Sequence, residues 1–239
     1  MVNDALTVTA DERQAAALRA ARDAERALAL SYAPPDARAG LTALFALDTS
    51  LGDVLRGSRE PMLVQMRLTW WHDGLTGLDS ATPPAMPVLQ ALAADVLPRG
   101  VGGAALAELV EGWEALADGD PADPAVRSAF AAGRGGVLFA QAAEVAGTAD
   151  FAGVPAAGQG WALADLALGL VDPVAAAAAR QQAGVLLAQA TAMRWPRRIR
   201  ALGALAHIAA IDMASDPSRP AIATPRRVAR LAWHRITGL

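Results

Sequence analysis

The side chains in this chain that could hold a charged ligand are carboxylates and guanidinia. Asp48 and Asp53 lie five residues apart in one helical stretch, and Asp165 and Asp172 lie seven apart in another. Carboxylates four apart on a helix point about 40° from each other and can share a Mg²⁺ whose remaining ligands come from a substrate's phosphates. Five apart, Asp48 and Asp53 diverge by about 140°, too far for one ion on their own helix. Asp165 and Asp172 return to one face, but Gly169 and Pro173 set Asp172 at a helix end. Each pair therefore reads as two solvated aspartates, or as half of a metal–diphosphate site completed across a bundle.

Other chemistries find no support. His72, His207 and His234 have no zinc-ligand spacing. The run Gly133-Arg134-Gly135-Gly136 follows no strand, so it does not read as a dinucleotide loop; no G-x-S-x-G is present. Cysteine is absent, which removes thiol catalysis and thiolate metal sites. Every one of the 21 basic residues is an arginine, which removes Schiff-base chemistry and the Walker lysine.

Two adjacent tryptophans mark a second chemical candidate, the stretch from Pro61 to Leu75. Pro61 fits a first helical turn, and Leu63, Arg67, Trp70, Trp71 and Gly74 then recur at three-and-four spacing. If that face is buried, Arg67 needs a partner, which Trp71 could supply in part by cation–π contact. The face reads either as core or as the lining of an apolar pocket.

The elements that would position these residues are helical throughout. The capping box Thr9-Ala10-Asp11-Glu12 opens a helix to about Tyr32, closed by Pro34-Pro35. A second carries the stripe Leu41, Leu44, Phe45, Leu47, Leu51, Val54 and Leu55, and frays at Gly57-Ser58. The tryptophan helix runs to about Leu78. Further helices are expected over 87–96, 104–117, 124–145, 155–170, 173–193, 197–214 and 224–237, several opened by proline. In the 124–145 helix Gly133, Gly135 and Gly136 weaken propensity by about 1 kcal/mol each, so they suit places of close helix approach. No period-two run and no internal repeat is visible. The expectation is an all-α, single-domain bundle spanning residues 1–239, with 1–10 a flexible N-terminus.

The net charge of −3 conceals an asymmetry, because nine arginines against Asp212 and Asp216 fall between Arg194 and the end. Such a basic part suits peripheral contact with a membrane surface or an acidic partner, or is the solvated face of ordinary helices. Trp195 and Trp233 interleave with it, but no nucleic-acid module accompanies them and no nucleic-acid partner is expected. No apolar run is long enough to span a bilayer, and residues 1–12 carry no apolar signal region. A cytoplasmic location, peripheral to the inner face of a membrane, is expected.

Several segments resemble the squalene/phytoene synthase family. They are Leu30-Ser31-Tyr32-Ala33-Pro34-Pro35-Asp36-Ala37-Arg38, Leu44-Phe45-Ala46-Leu47, Met66-Arg67-Leu68-Thr69-Trp70-Trp71-His72-Asp73-Gly74-Leu75 and Met86-Pro87-Val88-Leu89-Gln90-Ala91-Leu92. The segments 106–120, 130–138 and 157–164 resemble later helices of the family. The resemblance implies its isoprenoid synthase fold with a central apolar cavity. It also implies contacts with an isoprenoid or lipid from Arg38, Phe45, Arg67, Trp70 and Trp71.

Members that condense two prenyl diphosphates use two aspartate-rich motifs to hold Mg²⁺. Carried across, the first falls on Gly52, Asp53 and Arg56, and the second near Val171 and Ala175, with Asp172 reached only by a one-residue shift. Losing such carboxylates costs several kcal/mol of transition-state stabilisation in a diphosphate ionisation. The resemblance is therefore nearest to the family's non-catalytic branch, which includes the mitochondrial complex I assembly factor. It implies a binding or assembly protein with a protein partner and no cofactor. The alternative is an active head-to-head prenyltransferase with a displaced Mg²⁺ site, using Asp48 and Asp53 in catalysis and Asp53, Asp165 and Asp172 as metal ligands.

Overall fold

The structure, a computed structural model, describes residues 10–58, 60–216 and 224–239, with side chains from Ala17 onward. Thr9 of the expected capping box and residues 1–9 of the expected flexible N-terminus lie outside the described residues, while Ala10, the last of that stretch, opens a helix. Eleven α-helices occur among the described residues and no strand. They are α1 (Ala10–Leu30), α2 (Pro35–Arg56), α3 (Pro61–Thr76), α4 (Pro87–Asp95), α5 (Gly103–Asp118), α6 (Pro124–Phe130), α7 (Val137–Val145), α8 (Gly153–Gly169), α9 (Pro173–Thr191), α10 (Arg200–Ala214) and α11 (Pro225–Thr237). Six of them begin with proline, whose fixed φ suits the first turn and whose missing N–H would be unpaired there anyway. Asp123 and Asp172 cap α6 and α9 through their side chains.

Helix α2 runs through the core, burying Leu41, Leu44, Phe45, Leu47 and Leu51. Against it pack α4, α7, α3 and α5; α7 packs in turn on α8, and Phe45 of α2 meets Trp161 of α8. Helices α8 and α9 pack closely because α9 presents Ala175, Ala179, Ala183 and Ala190 at its buried face, with Leu187 set against Gly160. No helix among the described residues is long and apolar enough to cross a membrane.

The expected 124–145 helix is interrupted. Between α6 and α7, Ala131–Gly136 form one π-helical turn. This turn is wedged between two neighbours: a Cβ on Gly112 of α5 would strike the Arg134 backbone, and one on Gly135 would strike the carbonyl of Gly158 in α8. Gly133 and Gly135 permit backbone-to-backbone approach on the two sides, as glycines that weaken a helix suggested, whereas a Cβ on Gly136 would meet the Gln159 side chain at ordinary distance. The widened turn, a geometry common at functional sites, carries Arg134 inward.

The tryptophan helix faces differently from the expected pattern. The buried stripe of α3 is Val64, Leu68, Trp71 and Leu75, whereas Leu63, Arg67 and Trp70 are exposed. The three-and-four spacing was shared by two adjacent faces; the one with Val64, Leu68 and Leu75 is inward, and of the expected face's aromatics only Trp71 is buried with it. Arg67 therefore needs no buried partner. It reaches toward the C-terminal end of α2, where an added Cβ on Gly57 would lie 3.6 Å from its Nη1, and cations are favoured at such ends.

Candidate functional site

A cavity of about 860 Å³ lies between α1, α2, α5, the π turn, α8 and α10. It is not the apolar chamber expected. Trp113, Trp161, Leu168, Leu205, Ile208 and Ala209 supply apolar wall, but eleven of its twenty described lining residues are charged. On α2, Asp48, Thr49, Asp53 and Arg56 reach it; Asp165 does so from α8, and Arg19, Arg22, Asp23, Glu25 and Arg26 from α1.

Its centre is Arg134. The guanidinium donates to both oxygens of Asp48, Nε to Oδ1 at 2.7 Å and Nη2 to Oδ2 at 2.9 Å. Its remaining nitrogen, Nη1, donates to Asp165 Oδ2 at 2.6 Å. The flat faces are covered by indoles: the guanidinium carbon lies 4.3 Å from the Trp113 ring centre and 4.7 Å from that of Trp161, with Phe130 at 5.4 Å. Planarity, a permanent charge and a forked donor set are what fit arginine to this place. Burial works against the charge, but the two carboxylates outweigh it and hold the Arg134 pKa above its ordinary value.

Asp48 side-chain exposure is 1%, so it is not the solvated aspartate expected. It sits seven residues after Leu41 and three after Phe45, in phase with the buried stripe, and a carboxylate there requires a cation. Asp165 keeps 49% of its side chain accessible, and as a lining residue it turns that surface to the cavity. Burial raises its pKa, but Arg134, then Arg22 and Arg56, more than offset this and hold it below the usual carboxylate range.

The aspartates thus meet across helices rather than along them. Asp48 and Asp165 face one another with a guanidinium between. Asp53 is exposed and bound by Arg56, Nη2 to Oδ1 at 2.9 Å. Arg56 folds back over Gly52, where an added Cβ would lie 3.0 Å from its terminal nitrogens and from Trp113. Asp172 does not line the cavity; its oxygens accept from Val174 N and Ala175 N, each at 3.1 Å, as the cap of α9. No group of three or more His, Cys, Asp or Glu able to hold a metal ion occurs among the described residues.

None of Arg38, Phe45, Arg67, Trp70 and Trp71 lines the cavity. Arg38 donates to the carbonyls of Ser31 and Ala33 at 3.0 and 3.1 Å and so closes the α1–α2 turn. Phe45 stands behind the wall, edge-on to Trp161 at 5.7 Å. Trp70 and Trp71 touch each other edge-to-face at 5.4 Å. Sequence reasoning missed Arg134, Trp113 and Trp161. A signal for Arg134 existed: a lone arginine within a glycine-rich turn, on a segment otherwise apolar enough to be core.

A second buried arginine, Arg227 of α11, donates to Glu25 of α1 at 2.7 Å and to Asp212 of α10 at 2.6 Å. Both acceptors line the cavity, so this ion pair ties α11 to its wall. Two of the three scattered histidines meet in space, His207 and His234 having ring centres 4.7 Å apart. Burial, aided by His234 and Arg230, pushes His207 down to about 3.

Comparison with known proteins agrees with this architecture. A crystal structure of a dehydrosqualene synthase in complex with ligand superposes with a TM-score of 0.67 at 14% identity, covering 87% of this chain and 89% of that one. No curated protein matches the chain in sequence. The family model for squalene/phytoene synthase matches residues 19–164, the span from α1 through most of α8 that contains Asp48, Trp113, Arg134 and Trp161. The chain belongs to the squalene/phytoene synthase family.

Proposed function

We propose that this protein is a non-catalytic member of its family, a cytoplasmic binding or assembly factor whose cavity takes an isoprenoid or other lipid. The observation that carries the reading is the guanidinium of Arg134 lying between Asp48 and Asp165. Family members that ionise prenyl diphosphates need facing carboxylates free to bind Mg²⁺. Here Asp48 has both oxygens engaged, Asp165 is tied by a 2.6 Å charge-assisted bond, and Asp53 is bound by Arg56. The residues present do not fit a Mg²⁺–diphosphate cluster. The apolar wall of Trp113, Trp161, Leu205 and Ile208 beside charged groups suits an amphiphile. The exposed stripe Met62, Met66 and Trp70 on α3 supports a protein partner, since methionine-rich faces adapt to other surfaces.

One observation favours an active prenyltransferase: Asp48 and Asp165 do face each other across the cavity. That reading requires Arg134 to withdraw. Purified protein given Mg²⁺ and farnesyl or geranylgeranyl diphosphate tests the choice. The non-catalytic reading expects diphosphate release no faster than the blank. Sustained release abolished by Asp53→Asn would establish the transferase instead.

A further inference from the structure

Helix α11 is inside out. Val228, Trp233 and Ile236 are 54%, 55% and 75% exposed, and Ala229 and Ala232 are exposed beside them. At about 100° per residue these five side chains occupy a sector of about 140°. The opposite side, turned into the protein, carries Leu231 and otherwise polar groups: Arg227 between Glu25 and Asp212, His234 against the Arg200 carbonyl at 3.1 Å, and Arg230 over His207. In water the hydrophobic effect favours the reverse arrangement.

The helix cannot roll to correct this. Arg227 is doubly held, Arg200 Nη1 donates to the Arg235 carbonyl at 2.7 Å, and Arg194 Nε donates to the Thr237 carbonyl at 3.1 Å. Trp195 N donates to the Gly238 carbonyl at 2.7 Å. Four arginines of the basic C-terminal part, Arg194, Arg200, Arg227 and Arg230, are thus engaged where α11 meets the rest of the fold rather than solvated on an ordinary helix face.

What remains exposed has the composition of a membrane interface. Arg226 borders the apolar sector on one edge and Arg235 on the other, and α11 contains no Asp or Glu. Trp233 lies at the sector's margin, beside Arg226, where an indole would meet the headgroup level. We propose that α11 docks the protein on anionic lipid bilayers, lying flat with Val228, Ala232, Trp233 and Ile236 among the acyl chains and Arg226 and Arg235 at the phosphates. A second copy of the chain is disfavoured as the occupant, because an antiparallel two-fold contact would set Arg226 of each copy against Arg235 of the other. The inference concerns a different surface from the cavity and stands whether or not the cavity is catalytic.

Flotation of the full chain with vesicles tests it. Binding is expected to phosphatidylcholine–phosphatidylglycerol vesicles and to weaken sharply on phosphatidylcholine alone. Trp233→Ser with Ile236→Ser changes only exposed side chains, so thermal stability should be retained while affinity falls by about tenfold or more. Arg226→Gln with Arg235→Gln should lower affinity by about tenfold or more and flatten its salt dependence. Absence of binding to anionic vesicles would overturn the proposal, as would serine variants that bind like the parent. So would light scattering that shows a dimer lost in the serine variant with no vesicle binding.

Discussion

Replacing Arg134 by methionine keeps side-chain bulk against Trp113 and Trp161 but removes the charge. Asp165 loses one bond and can recover hydration, since half its side chain is open to the cavity. Asp48 cannot, because its side chain is 1% exposed and both its oxygens are held by Arg134. Removing one partner of such a buried pair costs about 3–5 kcal/mol, for the ion left behind more than for the bond lost. The cation–π contacts, about 2 kcal/mol when desolvated, overlap with that figure rather than adding to it. In a chain of this length 3–5 kcal/mol corresponds to a fall in Tm of roughly 6–20 °C. Urea denaturation of Arg134→Met, Asp48→Asn and the double variant forms the cycle. The double variant should regain more than half the loss, because no unpaired charge remains. The deficit of Arg134→Met should also shrink from pH 8 toward pH 4.5, since an unpartnered buried carboxylate is relieved by taking up a proton. A deficit below about 1 kcal/mol, one equal at both pH values, or a double variant no better than the single would refute the reasoning.

Three other outcomes follow from the same geometry. Gly135→Ala places a methyl into the Gly158 carbonyl and should cost about 3 kcal/mol or more by calorimetry, with soluble protein of parental stability as the contrary result. His207 is depressed to about 3 when folded, against about 6.5 when unfolded. The unfolded chain therefore binds more protons between those values. Stability from this group is complete above about pH 6.5 and falls toward pH 3 by up to about 1.4 kcal/mol per unit; His234, also lowered by burial, adds in the same direction. His207→Leu should flatten the pH 7-to-5 portion of the stability curve, and an unchanged slope would count against the burial argument. Asp53→Asn breaks only an exposed i,i+3 pair and should change stability by under about 1 kcal/mol in denaturant titration; a larger loss would mean that Asp53 holds something structural.

The helices were legible because periodic apolar residues and prolines at first turns are local signals, and Pro35, Pro61, Pro87, Pro124, Pro173 and Pro225 mark starts that the fold uses. The inward face of α3 was less so, because Leu63 and Arg67 follow the same spacing as Val64 and Leu68. The π turn was visible only as glycines that weaken a helix. Why they are there depends on Gly112 and Gly158, which lie on other elements. Pairing aspartates along a helix failed for a related reason. Asp48 meets Asp165 and Arg134 across sequence separations that periodicity does not register. Asp48 itself was detectable, as an acid in phase with Leu41 and Phe45. The counter-ion was legible only as a lone arginine within a glycine-rich turn, and nothing in the sequence paired that one of 21 arginines with Asp48. The inversion of α11 was hidden too, since an arginine-rich helix ordinarily turns its charges to water.

The guanidinium of Arg134 stands where facing carboxylates would otherwise bind metal. Titration of the protein with Mn²⁺, reading the free ion by electron paramagnetic resonance with and without farnesyl diphosphate, tests this most directly. The free-ion signal should match that of buffer, or of buffer with farnesyl diphosphate, while Mn²⁺ stays below roughly millimolar. Stoichiometric uptake at micromolar Mn²⁺, lost in Asp48→Asn, would contradict it.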